Sequence, residues 1–344
     1  MISSIELEAF GPIGHFAFDG LQNINLVIGR NGSGKTFLLK ALYAALKSVE
    51  QHQRGKEPRS IKQLLAEALY WTFQGRELGN LVRKGEPTLS FAMQSAQGER
   101  LAYSFGSKTV STIQNLESSF LPTDVNSVFI PAKEILSIQD VILRSYEVDK
   151  SFGFDKTYVD LAKALSKTSK GRNFKEFSDA RKTLTDAIGG RLEYDDNLKE
   201  WVFRDDKRRI IEISLTSEGI KRLSILDLLL GNHFLTRESV VIIDEAEANL
   251  HPALVCQFME ILVKLAKAGL QIFLSSHSYF VIKSLYVLAH QYGVSIPVLS
   301  FGETEVAVGD LLQAMPDNPI VEESINIYKQ ELALDRKLIV ESQA

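Results

Sequence analysis

Residues Asn23 to Thr36, NINLVIGRNGSGKT, run from a short aliphatic stretch into Gly29, then four further residues, then Gly34, Lys35 and Thr36. The spacing G-x-x-x-x-G-K-T is that of a phosphate-binding loop, in which glycines let backbone N–H groups turn inward around an anion. Asn31, Gly32, Ser33 and Gly34 supply that cradle. Lys35 adds a point charge near the β/γ-phosphates, and Thr36 offers a hydroxyl to Mg²⁺. The stretch TFLLKALYAALKSV that follows has helical periodicity and turns the positive end of its dipole toward the same anion. Strand, glycine turn and helix in this order predict an α/β core with a mostly parallel sheet, and ATP with Mg²⁺ as its ligands.

A second stretch, VVIIDEAEANLHP from Val240 to Pro252, sets Asp244, Glu245 and Glu247 behind four aliphatic residues. Carboxylates at the end of a buried strand are costly unless a cation, a donor or a reaction uses them. The phosphate loop provides that use: Asp244 holds the Mg²⁺ shell and Glu245 polarises an attacking water. Glu247 reads as structural, either orienting the turn or capping the helix that begins near Pro252.

Two further segments bear on the same site. QIFLSSHS, Gln271 to Ser278, is an apolar strand ending in His277, at the edge where a parallel sheet presents its ligands; a histidine there can reach a γ-phosphate or the catalytic water. SLTSEGIKRLSILDLLL, Ser214 to Leu230, places Ser217 as an N-cap and Gly219 just behind it, at the start of a helix.

The order IGRNGSGKT, LTSEGIKRL, VVIIDEAEANLHP, LSSHS resembles the ABC-type ATPases of the structural-maintenance-of-chromosomes (SMC) and RecF class, and most of all the ATPase modules of the OLD family and related anti-phage systems. The resemblance covers most of Met1 to Glu50 and of Val125 to Ser300. It implies a P-loop NTPase of the ABC ATPase type; the antiparallel β subdomain and the helical lobe expected beside the parallel core are read from residue patterns, not from the resemblance. The four segments then correspond to the Walker A loop, the signature motif, Walker B with its D-loop, and the switch histidine. It also implies an ATP sandwich with a second copy of the chain, Ser217 and Gly219 of one copy meeting the nucleotide held by the other. Glu218 departs from the pattern, because many relatives carry a small residue there. FIPAKEI lacks the expected Q-loop glutamine, leaving that role to Lys133, to Glu134 or to neither.

The 344 residues are 45% hydrophobic, enough for a substantial core, and the formal charge of -4 neither announces nor excludes a polyanionic partner. Cys256 is the only cysteine, which excludes an internal disulfide and suits a cytoplasmic protein; it reads as a small buried hydrophobe. No basic and apolar leader opens the chain and no apolar run spans a bilayer, so no membrane association is expected.

The expected organisation is one ATPase domain, with residues 1–50 and 191–310 as nucleotide-binding core. Residues 51–130 form a loop, helix and β-meander insertion, 131–190 a helical lobe, and 311–344 a helical tail. The meander is read from TLSFAMQ, RLAYSFG and KTVSTIQ within Thr88 to Gln114. Lys163, Lys167, Lys170, Arg172, Lys175, Arg181 and Lys182, and separately Arg204, Lys207, Arg208 and Arg209, form two basic clusters. Each reads either as a solvated face or as a DNA or RNA footprint. No second catalytic constellation follows Ser300, so the expected role is control of a separately encoded effector, such as a nuclease or toxin; the resemblance implies that this role lies in anti-phage defence. The alternatives are a RecF-like repair ATPase that binds DNA itself and, less well matched by EANLHP, the ATP-binding subunit of an importer.

Overall fold

The computed structural model describes residues 1–54, 59–167, 173–195, 197–302 and 305–342. Its central sheet has six strands, in the order Val306–Asp310, Pro297–Phe301, Ile24–Gly29, Gln271–Ser276, Val240–Ile243, Ser127–Ile130. All neighbours pair in parallel except the first two. The inner strands are aliphatic along their whole length because both faces are covered. Alternation sorts their side chains: Ile24, Leu26, Ile28, Val241 and Ile243 enter one core, whereas Val27, Val240, Ile242 and Phe273 enter another. Gln271–Ser276 lies between the phosphate-loop strand and the acidic strand, so the two motifs face each other across an intervening strand.

The helix Lys35–Gln51 fills the second core, with Leu38, Leu42, Tyr43 and Ala45 buried between the parallel sheet and a five-stranded antiparallel one. That second sheet runs Ile13–Phe18, Ile2–Phe10, Thr88–Ser95, Arg100–Gly106, Asn115–Ser118. The opposite face of the parallel sheet carries the helices Glu218–Gly231, Pro252–Lys267 and Tyr279–Tyr292. The helices Gln139–Glu147, Lys156–Leu165 and Lys175–Ile188 pack on the same core, followed by a three-stranded antiparallel sheet, Gly190–Asp195, Glu200–Asp205 and Ile210–Glu212. The expected class, an α/β P-loop architecture with an antiparallel subdomain and a helical lobe, is the one present.

Several details differ from the sequence reading. The antiparallel sheet takes two of its strands from residues 2–18, which were grouped with the nucleotide core, while Ser127–Ile130, grouped with the insertion, joins the parallel sheet. KTVSTIQ forms no strand: Thr109 and Val110 instead accept backbone bonds from Gly79 and Leu78. That crossing is close, since a Cβ on Gly79 would lie 2.2 Å from the Ser107 carbonyl oxygen. Cys256 is exposed rather than buried, because Val255 and Met259 take the inward face of its helix. The tail helix Pro319–Ser342 packs Ile320 and Val321 on the core and leaves Ile325, Tyr328 and Leu334 exposed. Among the described residues no helix is long and apolar enough to cross a membrane.

Candidate functional site

The phosphate loop is held by its neighbours as well as by its glycines. Gly29 has φ 150°, and a Cβ there would sit 2.6 Å from the carbonyl oxygen of Phe301 on the adjacent strand. Gly34, at φ 108°, is the N-cap of the helix Lys35–Gln51. The Lys35 Nζ donates to the carbonyls of Gly29, at 2.8 Å, and Arg30, at 2.9 Å, so the ammonium is folded over its own loop. Burial lowers the Lys35 pKa, opposed by the carboxylates of Asp244, Glu245 and Glu247. Those three charges mark where a cation at this point is wanted.

The hydroxyl of Thr36 lies 3.0 Å from both carboxylate oxygens of Asp244, across 208 residues of chain. A hydroxyl and a carboxylate are hard oxygen donors, the set that suits Mg²⁺ shared with phosphate and water. These residues therefore fit the expected Mg²⁺.

Sequence reasoning missed two residues that hold the acidic turn. Ser275 donates its hydroxyl to Asp244 Oδ1 and accepts the backbone N–H of Glu245 at 2.8 Å. Arg222, buried on the helix Glu218–Gly231, donates to the carbonyls of Pro131 and Ala132, each at 3.0 Å, Asp244 at 2.7 Å and Glu245 at 2.6 Å. Burial drops its guanidinium pKa to about 10, with Glu247, Asp244 and Glu245 pulling the other way. Glu245 itself has φ 48°, a strained conformation for a side-chain-bearing residue, which these bonds over-determine. For Arg222, the available signal was an arginine at an otherwise apolar helix position; for Ser275, a serine inside an apolar strand.

His277 closes the strand Gln271–Ser276 and is half exposed, beside the acidic turn. Its backbone N–H donates to Glu247 Oε1 at 2.9 Å, and its Nδ1 is 3.4 Å from the same oxygen. Glu247 thus joins the two loops and does not cap the next helix; His251 does, with Nδ1 accepting the Ala253 N–H at 3.3 Å.

Ser217 is the N-cap of its helix and accepts from the Ile220 N–H at 3.4 Å. A Cβ on Gly219 would lie 2.8 Å from the carbonyl oxygen of Asn249. This helix start therefore packs on the acidic turn. Glu218 and Glu134 are both tied to Lys221, at 2.8 and 3.5 Å, while Lys133 is exposed.

Part of the basic surface is ion-paired within the chain. Lys163 pairs with Glu147, Arg181 with Asp227, Arg204 with Glu193 and Arg209 with Asp205, while Lys167 lies over the ring of Phe234. Lys170 and Arg172 lie outside the described residues.

Residues 128–283 match the family described as "AAA domain, putative AbiEii toxin, Type IV TA system". No curated protein sequence matches the chain. Among solved structures, the chain resembles the Smc head bound to the C-winged helix domain of ScpA, with a TM-score of 0.56 and 14% identity over 91% of this chain and 99% of that one. A Smc head with an extended coiled coil, bound to the C-terminal domain of ScpA and derived from Pyrococcus furiosus, matches with a TM-score of 0.54 and 14% identity over 94% and 98%. The recombination mediator RecF in its ATPrS form matches with a TM-score of 0.48 and 14% identity over 90% and 98%. The chain has the ABC-type ATPase fold of the SMC heads, and the segment carrying its acidic turn and His277 matches an AAA domain family.

Proposed function

We propose that the protein binds ATP at Gly29–Thr36, hydrolyses it to ADP and phosphate, and does so between two copies of itself to control a separately encoded effector. The observation that carries this reading is the 3.0 Å approach of Thr36 to Asp244 at the foot of the helix that begins with Lys35. Bound Mg²⁺ supplies charge neutralisation to the phosphates. Lys35 exchanges its bonds to the loop carbonyls for phosphate oxygens, Glu245 orients and polarises the attacking water, and His277 contacts the γ-phosphate. Ser217 is exposed and its helix starts against the acidic turn, so a second copy supplies the signature contact and ATP occupancy is linked to dimerisation.

The effector would be a nuclease or toxin on another chain, in anti-phage defence; the matched family is described as a putative toxin of a Type IV TA system. A RecF-like role in which the chain binds DNA directly is the competing reading. The ion pairs that occupy its basic clusters count against it, and DNA-stimulated hydrolysis would favour it. The test is Glu245→Gln with ATP: turnover stops, nucleotide stays bound, and light scattering registers a dimer. A variant that binds ATP and stays monomeric ends the sandwich proposal.

A further inference from the structure

Glu247 remains after the ATP site has used Asp244 and Glu245. Its side chain is 12% exposed and its Oε1 holds the His277 backbone N–H. Its Oε2 is buried with no hydrogen-bond partner among the described residues. A buried carboxylate oxygen without a donor carries a desolvation cost, and such atoms persist where a ligand or a movement supplies the missing bond. The His277 ring lies beside the same carboxylate: its Nδ1 is 3.4 Å from Oε1, too long for a full hydrogen bond, and the ring is 46% exposed. Bonds of this kind in substrate-free sites are commonly long and tighten when the substrate arrives.

We infer that Glu247 is a positioning residue that orients the ring of His277 toward the γ-phosphate, accepting its backbone N–H and its ring Nδ1–H together. Fixing Nδ1 as the protonated nitrogen turns Nε2 outward, as carboxylates do for the histidines of metal sites. Glu247 also sits in the turn whose carbonyls Arg222 grips, at Asp244 and Glu245. One carboxylate thereby registers the switch histidine against the acidic turn and the signature helix. The inference rests on the reading of this site as an ATPase, but part of its test does not need hydrolysis.

The test uses the full chain. In ¹⁵N spectra of the imidazoles, with H277A to assign the resonance among 6 histidines, His277 is expected to be the Nδ1–H form in the native chain and an ordinary tautomer mixture in E247A. The same mixture in both proteins overturns the inference, whether or not the chain hydrolyses ATP. In single turnover, E247A is expected to slow hydrolysis by about 10- to 100-fold, the loss seen for residues that orient ligands, with ATP affinity nearly unchanged. Combined with H277A it should cost nothing further, because Glu247 acts through that ring; additive losses overturn the inference. E247Q, which retains size and the backbone acceptor, covers the case in which E247A fails to fold and is expected to lose part of the rate and of the tautomer preference. If K35A leaves nucleotide affinity intact, the ATPase reading fails and the spectra alone judge Glu247.

Discussion

The two halves of the site are built in opposite ways. Gly29 to Thr36 is a local structure: one strand, one glycine turn and one helix, with the Lys35 Nζ bonded to carbonyls 6 and 5 residues back. The acidic turn from Asp244 to Leu250 is an assembled structure, held by Arg222, by Ser275 and by the backbone of His277, which lie 22, 30 and 30 residues from their partners at Asp244, Glu245 and Glu247. The difference teaches that the glycine loop is encoded by spacing, whereas placing the Glu245 carboxylate needs the sheet, the helix Glu218–Gly231 and the next strand together.

The largest effect is expected where the assembled half is cut. Arg222→Met removes the donors from four carbonyls in a buried site, and stability should fall by on the order of 3–5 kcal/mol. Urea unfolding reads this, and an unchanged midpoint would mean that the turn does not depend on the guanidinium. Next comes the local half: Lys35→Ala should weaken ATP binding by about 100-fold, since charge-assisted bonds each contribute about 1.5–3 kcal/mol. Its folding should be unaffected, because the Lys35 bonds close only its own loop; calorimetry with ATP and a melting curve separate the two. The smallest effect belongs to Ser275→Ala, which leaves the Glu245 N–H without its acceptor. Hydrolysis should drop by about 10-fold with binding retained; equal losses in both would place Ser275 with the phosphate loop instead.

Legibility in the sequence follows the same division. The meeting of Thr36 with Asp244 was legible because spacing and an aliphatic strand point to it, and the helix cap at Ser217 was legible because capping is local. Arg222 and Ser275 were not, since an arginine in an apolar helix or a serine in an apolar strand takes its meaning from carbonyls and carboxylates elsewhere. Glu247 was read as structural, but its partner in the next loop was not visible. The exposed Cys256 and the bend at KTVSTIQ were misread for a related reason: periodicity tells that a face is buried, and neighbours decide which face.

The sequence alone determined a phosphate loop between a strand and a helix, an acidic strand end to meet it, and an α/β core, because short-range spacing and side-chain alternation are properties of neighbouring residues. The tertiary structure decided that residues 2–18 complete the antiparallel sheet, that Gln271–Ser276 separates the two motif strands, and that Arg222, Ser275 and Glu247 hold the acidic turn. Those facts depend on hydrogen bonds between groups far apart in the chain. A buried donor or acceptor must find a partner, but nothing local to it specifies which one.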